Sequence, residues 1–121
     1  MPRVIHFELG ADDPERAVKF YSDVFGWQIQ KWDGPQDYWL ITTGDASTPG
    51  IDGALMRREP GMSTINTIGV DSVDDAVAKI TARGGTVAAP KMAIPGVGYF
   101  AYCQDTEGNM FGVMQSDHSA A

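Results

Sequence analysis

The sequence predicts an α+β fold made of two tandem β-α-β-β-β modules, and the first observation behind this prediction is an internal repeat. When the chain is compared with itself at an offset of 59 residues and without gaps, segment 9–26 matches segment 68–85. The identical pairs are Gly10 and Gly69, Asp12 and Asp71, Ala17 and Ala76, Val18 and Val77, and Gly26 and Gly85. The same offset also places Gly53 on Gly112. The repeat indicates that one structural unit is written twice.

Helix-capping residues at matching places in both copies are the second observation. Asp13 can accept a hydrogen bond at the start of a helix, and Pro14 suits the first helical position because its missing N–H has no partner there. Gly26 can end that helix in a left-handed conformation. Ser72 is the corresponding cap in the second copy, and glycines at 84–85 follow its helix. These caps predict one amphipathic helix in each module.

Apolar segments between turn residues predict the strands, which is the third observation. In chain order, the predicted elements are strand 4–9, helix 14–25, strands 27–32, 38–43 and 51–56, strand 63–70, helix 72–83, and strands 86–89, 99–104 and 110–115. We predict one domain, 1–121, with module one at 3–58, a linker at 59–62, module two at 63–115 and a tail at 116–121. The tail has no pattern, and we expect it to be frayed.

The first strand alternates between two kinds of side chain. Ile5, Phe7 and Leu9 are predicted to face the helix of module one, as the buried side of the strand. His6 and Glu8 must then point to the opposite face, because successive side chains of a strand alternate.

Composition and charge limit the possible partners. With 9 basic and 16 acidic residues, the chain has a formal net charge of −7, which disfavours nucleic acid and anionic membranes. The sequence has no apolar run that could span a bilayer and no signal-peptide pattern, so we predict a soluble, cytoplasmic protein. The single cysteine, Cys103, is expected to be a packed, reduced thiol.

Two stretches resemble a known superfamily. Residues 13–27, DPERAVKFYSDVFGW, are similar to the first helix of the vicinal oxygen chelate superfamily, and residues 105–115, DTEGNMFGVMQ, are similar to its closing strand. This superfamily includes glyoxalase I, extradiol dioxygenases and bleomycin-resistance proteins. The resemblance implies that the strands of each module curl into an open cleft, with the helices on the outer face and the ligand in the cleft.

In metal-dependent members of that superfamily, the first and last strands of each module carry the metal ligands. The resemblance places the corresponding positions at His6, Gly53, Ile65 and Gly112. Only the histidine can bind a divalent cation, which needs three or four ligands. We therefore expect no complete metal site and no cofactor, with a site rebuilt from His6, Glu8 and Asp52 as the alternative.

The residues of the cleft face follow from the same correspondence. His6 and Glu8 are the candidate catalytic residues, since a histidine beside a carboxylate can bind a polar group or move a proton; the alternative is a pair that only fills space. Trp39 is predicted as an aromatic wall of the cleft, with a core position as the alternative. Gly53 and Gly112 are expected to widen the cleft. The predicted ligand-binding residues are His6, Glu8, Trp39, Gly53, Leu55, Ile65, Thr67, Gly112 and Met114.

Three functions remain open at this point. The leading hypothesis is a metal-free protein that binds a small apolar or aromatic compound. The second is an enzyme, a lyase or isomerase of the glyoxalase type, in which Glu8 is the base and His6 its partner. The third is an interaction module whose cleft is a vestige. We also expect a homodimer, because edge strands and an open cleft need cover and the resemblance implies two-fold pairing.

Overall fold

The computed structural model describes residues 2–121, which form eight strands and two helices. In chain order these are β1 (Arg3–Ala11), α1 (Pro14–Phe25), β2 (Gln28–Lys31), β3 (Tyr38–Thr42), β4 (Gly53–Arg57), β5 (Ile65–Gly69), α2 (Val73–Ala82), β6 (Thr86–Ile94), β7 (Gly98–Gln104) and β8 (Met110–Ser116). The order β-α-β-β-β occurs twice, so the predicted α+β class is confirmed. Within the described chain, no helix is long and apolar enough to cross a membrane.

The strands belong to two compact units, His6–Ile65 and residues 2–5 with Asn66–Ala121. In the first unit the strand order is β2-β3-β4-β1, and β4 runs parallel to β1 while the other neighbours are antiparallel. In the second unit the order is β5-β8-β7-β6, and β8 runs parallel to β5. Each unit therefore contains the same ladder, in which the first and last strands of a module pair directly.

The capping residues take the roles that the sequence predicts. The Asp13 side chain accepts a hydrogen bond from the Arg16 N–H at 3.2 Å, and Ser72 Oγ accepts one from the Asp75 N–H at 3.1 Å. Gly26 ends α1 at a positive φ of 73°, a conformation in which other residues are strained. The caps set the residue at which each helix starts. The starting residue in turn decides which side chains of the helix face the strands.

Each helix covers one face of the strands in its own unit. The α1 core contains the buried residues Ala11, Trp39, Ile41 and Leu55, with the partly buried Phe7, Leu9, Ala17, Val18, Tyr21, Trp27 and Ile29. The α2 core contains the buried residues Val73, Ala101, Cys103 and Val113, with the partly buried Val70, Ala76, Val77, Ile80, Tyr99 and Phe111. Cys103 is a free, buried thiol as expected, and burial raises its pKa. Side chains that alternate with these core residues point to the opposite face of the strands.

The internal repeat slips by one residue at the last strand of each module. Phe7 pairs with Gly53 in the first unit, and Asn66, 59 residues after Phe7, pairs with Phe111 in the second. Gly53 therefore corresponds to Phe111, at an offset of 58, and not to Gly112. A shift of one residue moves every side chain of a strand to the other face. The gapless comparison is thus wrong about the face that the β4 residues occupy.

β6 is longer than predicted, Thr86–Ile94 in place of 86–89. Pro90 follows the predicted end, and proline lacks the N–H that a central ladder requires. β6 has β7 as its neighbour and ends the strand order of its unit, and its pairing is irregular between Val87 and Met92. An irregular edge strand tolerates a proline, so the strand continues through it.

Two segments outside the predicted elements are packed. The expectation of a frayed tail is wrong: Ala120 is buried, its carbonyl accepts a hydrogen bond from Gly96 N–H at 3.0 Å, and Asp117 N–H donates to Val97 O at 2.9 Å. The tail is held because its backbone groups pair with the turn between β6 and β7. In the predicted linker, Met62 is also buried.

β1 alternates as predicted except at its beginning. Phe7 and Leu9 pack in the α1 core, but Ile5 is 45% exposed, so its predicted burial is wrong. A Cβ atom at Gly69 of β5 would lie 3.1 Å from Ile5 Cδ1, so the Ile5 side chain lies beside β5 and not against α1.

The assignment of Leu55 to the face that packs against α1 predicts unequal effects of two leucine substitutions. Leu55 on β4 is fully buried in the α1 core, whereas Leu40 on β3 is 45% exposed on the opposite face. We expect Leu55→Ala to lower the free energy of unfolding by about 2–5 kcal/mol, because it leaves a cavity in the core. Leu40→Ala should change it by less than about 1 kcal/mol. Urea unfolding measures both values, and equal, small losses would contradict the core position of Leu55.

Candidate functional site

Three polar side chains meet on the face of β1 opposite α1. The Tyr38 hydroxyl donates a hydrogen bond to Glu8 Oε2 at 2.9 Å, and His6 Nε2 lies 3.2 Å from the same hydroxyl oxygen. Glu8 is only 5% exposed, whereas His6 and Tyr38 are partly buried. We call these residues the His6–Tyr38–Glu8 cluster.

The strand register brings Tyr38 to residues that are two strands away. Glu8 pairs with Ala54 on β4, and Ala54 pairs in turn with Leu40 on β3, so these three residues form one row across the strands. Tyr38 pairs with Met56, one row away on the same face. Adjacent strands lie about 4.8 Å apart, so only a long side chain on β3 can reach β1 across β4. Tyrosine has this reach, and the small Ala54 side chain leaves space for its ring.

The hydrogen-bond directions define the state of the histidine. Because the Tyr38 hydrogen is donated to Glu8, the same oxygen accepts the hydrogen of His6 Nε2, which leaves Nδ1 as an acceptor. Burial lowers the pKa of His6 below its ordinary value of 6.5, while the charges of Glu8 and Asp52 act in the opposite direction. The neutral imidazole is therefore favoured. Its Nδ1 can accept a hydrogen bond, or a proton, from a bound molecule.

The side chains near His6 do not match the ligand set of a metal site. Asp52 accepts hydrogen bonds from the Thr43 N–H at 2.9 Å and from Thr43 Oγ1 at 3.3 Å, so it closes the loop between β3 and β4. Across residues 2–121, no group of three His, Cys, Asp or Glu side chains is arranged to hold a metal ion. A protein site for a divalent cation needs three or four such ligands. The residues present therefore do not fit the metal that the superfamily resemblance implies.

Three predicted ligand contacts lie on the wrong face of the strands. Trp39 pairs with Leu55, both are buried, and both belong to the α1 core. Gly53 lies on this face too, because it pairs with Phe7. A Cβ atom at Gly53 would lie 2.6 Å from the Phe7 ring, so the glycine makes room for Phe7 and not for a ligand. The core alternative for Trp39 is the correct one, and the predicted cleft positions of Gly53 and Leu55 are wrong.

The predicted residues of the second unit do lie opposite α2. Thr67 pairs with Gly112, and both alternate with residues that face the α2 core, as does Met114. The Phe100 ring fills the space beside Gly112, so the expectation that this glycine widens a cleft is wrong. Thr67 is buried, and its hydroxyl has no hydrogen-bond partner among the described residues. Ile65, two residues earlier on β5, is buried as well.

Tyr38 is the member of the cluster that sequence reasoning missed. Tyr38 and Trp39 are neighbours on β3, so one of them had to face α1 and the other had to face away. Sequence reasoning assigned the ligand face to Trp39. The apolar Ile41, which is in step with Trp39, and the more polar Tyr38 were the signals in the sequence for the opposite assignment.

Paired β-α-β-β-β modules define a class of proteins, and sequence comparison identifies the family. The model of the Glyoxalase/Bleomycin resistance protein/Dioxygenase superfamily matches residues 3–113. The chain belongs to this superfamily.

Named relatives share part of their length with this chain. The protein "Putative glyoxylase CFP32" of Mycobacterium tuberculosis is 33% identical over 112 residues, which are 89% of this chain and 42% of the relative. The chain thus spans less than half the length of that relative. A "Glyoxylase-like domain-containing protein" of Didymella fabae is 32% identical over 84% of both chains. A "Probable lactoylglutathione lyase" of Vibrio parahaemolyticus is 25% identical over 98% of this chain and 94% of its own.

Solved structures share the fold. A methylmalonyl-CoA epimerase in complex with methylmalonyl-CoA aligns with a TM-score of 0.71 at 16% identity, over 100% of this chain and 99% of its own. A hypothetical protein from Bacillus halodurans aligns with a TM-score of 0.71 at 12% identity, over 99% and 98% of the two chains. At these identities the likeness shows the fold alone.

The lowered pKa of His6 predicts how stability depends on pH. Between the folded-state pKa and the ordinary value of 6.5, the unfolded chain binds more protons at His6 than the folded chain does, so stability falls as pH is lowered through this range. We expect the native protein to lose stability as the pH is lowered through 6.5. The His6→Gln variant should lose less stability over the same pH change, because glutamine does not titrate.

The second histidine provides a matched control for this measurement. His118 lies in the tail and is exposed, so His118→Gln should retain the decline of the native protein. Urea midpoints at several pH values give the comparison. An equal decline in the native protein and in His6→Gln would show that His6 does not cause it.

Proposed function

We propose that this protein binds a small organic molecule on the face of β1 and β3 opposite α1, with the His6–Tyr38–Glu8 cluster as the polar part of the site. The observation that carries the proposal is the nearly buried Glu8 carboxylate, which is hydrogen-bonded to Tyr38 beside a neutral His6. Burying a carboxylate is unfavourable unless polar partners satisfy it. An ordered polar cluster beside partly open apolar surface is typical of a ligand site.

The surroundings of the cluster favour a ligand with both a polar and an apolar part. His6 Nδ1 can accept a hydrogen bond from a ligand N–H or O–H group. Leu40 exposes 45% of its surface on the same face, and Met56 is partly buried there. Because Trp39 lies in the α1 core, these aliphatic side chains provide the apolar contact in place of the predicted aromatic wall. The ligand we propose is therefore an apolar or aromatic compound with at least one hydrogen-bond donor.

We further propose that binding requires no metal cofactor. His6 and Glu8 provide one nitrogen and one carboxylate, and Asp52 is hydrogen-bonded to the loop at Thr43. The polar groups of the cluster are hydrogen-bonded to each other. This arrangement suits hydrogen bonding to a ligand. A cytoplasmic location is part of the same proposal; the single cysteine, Cys103, is a free, buried thiol, which suits a reducing compartment.

An enzyme of the glyoxalase type is the second candidate. Its support is the 25% identity to a protein named as a lactoylglutathione lyase, which extends over 98% of this chain. In this candidate, Glu8 removes a proton from the hydroxyl-bearing carbon next to a carbonyl group and returns it to the carbonyl carbon, as a general base and then a general acid, while the hydroxyl proton moves to the former carbonyl oxygen. His6 hydrogen-bonds the substrate, and Tyr38 positions both residues.

Binding of defined probes to variants tests the proposed site. The probes are indole, which has an apolar body and one N–H donor, lactoylglutathione and methylmalonyl-CoA, each titrated by calorimetry into protein treated with a chelator. His6→Gln removes the Nδ1 acceptor, and Tyr38→Phe removes the hydroxyl that orients the histidine. We expect each variant to weaken binding by about tenfold, the effect of one lost hydrogen bond of about 1–1.5 kcal/mol.

Tyr99→Phe is the control for this experiment, because Tyr99 packs in the α2 core and does not belong to the unit that contains the cluster. Binding unchanged in His6→Gln and Tyr38→Phe would disprove the site, and binding that requires added metal would disprove the metal-free proposal. Turnover of lactoylglutathione that Glu8→Gln abolishes would establish the enzyme in place of the binding protein.

We also propose that the protein is a homodimer. β2 and β6 end the strand orders of their units, so each presents an unpaired edge. The C-terminal part of α1 exposes apolar surface at Val24 and Phe25. The net charge of −7 opposes association weakly, because surface charges are screened beyond about 8 Å at physiological ionic strength. Association would cover the exposed apolar residues.

Light scattering measures the association state. We expect a mass of twice 13.1 kDa at micromolar concentration. Val24→Asp should shift the mass toward the monomer, because it buries a charge in the proposed interface. Ala78→Asp, which places the same charge on the exposed surface of α2, is the control. A monomer mass for the native protein would be inconsistent with the dimer.

A further inference from the structure

A cavity lies on the other side of β1 from the His6–Tyr38–Glu8 cluster, between β1 and the start of α1. Its volume is about 520 Å³, within the range of about 300–1,000 Å³ that is usual for small-molecule sites. Leu9 lines this cavity, whereas Glu8, its neighbour on β1, points to the opposite face. The cavity is therefore distinct from the His6–Tyr38–Glu8 cluster.

We propose that this cavity is a second binding site, which accepts a small organic monocarboxylate with an apolar body. The Arg16 guanidinium holds the carboxylate at the rim, and the apolar body lies between α1 and β1. The proposal does not depend on the function proposed for the first site.

The inner surface of the cavity is apolar and aromatic. Leu9 of β1 and Ala17 of α1 line it, next to Leu55, which pairs with Leu9 and is fully buried. Phe20 and Tyr21 form a wall, with their ring centroids 5.2 Å apart and their planes at 89°. Aromatic and aliphatic surfaces of this kind favour an apolar ligand body, which gains by leaving water.

Most of the charged groups around the cavity are already paired. Arg58 donates hydrogen bonds to Asp12 Oδ1 at 3.1 Å, to Gly10 O at 3.2 Å and to Met62 O at 3.4 Å. The Asp13 side chain accepts from the Arg16 N–H and caps α1, so the first turn of the helix is already capped. The Arg16 guanidinium differs from these groups, because within residues 2–121 it makes no hydrogen bond or ion pair.

The charges at the rim disfavour a ligand with two negative charges. Asp12 and Asp13 lie beside the two arginines, so the four side chains sum to zero. Asp12 is paired with Arg58, and a ligand with one negative charge can pair with Arg16. A phosphate group would bring its second charge close to both carboxylates, which repel it. A carboxylate on an apolar body matches both the charge and the lining of the cavity.

Benzoate is a suitable probe, and benzamide is its neutral analogue of the same shape. Both are titrated into the full-length, ¹⁵N-labelled protein and followed by amide chemical shifts. We expect benzoate to cause saturable shifts at Gly10, Ala11 and Ala17, which line the cavity, and benzamide to bind at least tenfold more weakly. Arg16→Gln should weaken benzoate binding by about tenfold.

Lys19→Gln is the matched control, since it removes one positive charge from the same helix at a residue that is paired with Asp23 and does not line the cavity. Arg16 is exposed, so Arg16→Gln should melt at the same temperature as the native protein. Three results would each overturn the proposal: no saturable shifts at the cavity amides, equal benzoate affinity in Arg16→Gln and Lys19→Gln, or shifts confined to His6 and Glu8. The last result would place the carboxylate in the first site.

Discussion

The parallel pairing of β1 with β4 is the constraint on which the rest of the first unit depends. It places Phe7 beside Gly53 and Leu9 beside Leu55, and this face packs against α1. Glu8, between Phe7 and Leu9, then points to the opposite face. Core and candidate site are thus the two faces of one ladder, and a slip of one residue would exchange them.

The glycines of the corresponding strands β4 and β8 each contact a phenylalanine ring, but on different faces and from different strands. A Cβ at Gly53 would lie 2.5 Å from the Phe7 carbonyl oxygen, so a larger residue could not keep this register without moving β1. The Phe100 ring lies against Gly112 in a similar way, on the face opposite α2. The two glycines therefore look equivalent in the sequence, although each accommodates a different aromatic ring of the protein.

Local features of this fold were predictable from the sequence, and features that depend on register were not. The helices and their caps were predictable because Asp13, Pro14 and Ser72 act on backbone groups within three residues. His6 and Glu8 were assigned correctly to the face opposite α1, since alternation within one strand is sufficient. The face of Trp39 depends on the register between β3 and β4. The loop that connects these strands has no periodic pattern from which the register could be predicted. Tyr38 was missed because its partners lie two strands away.

The position of Tyr38 also explains how the site can be ordered before a ligand binds. Its hydroxyl contacts both Glu8 and His6, so one side chain from β3 fixes two residues of β1. Side chains that are already held lose little conformational freedom on binding, which favours affinity. The same hydrogen bonds point the His6 Nδ1 lone pair away from the cluster, and burial keeps the imidazole neutral by lowering its pKa. The cluster therefore presents a fixed hydrogen-bond acceptor, and the preference we propose, for a ligand with a hydrogen-bond donor, follows from the strand register.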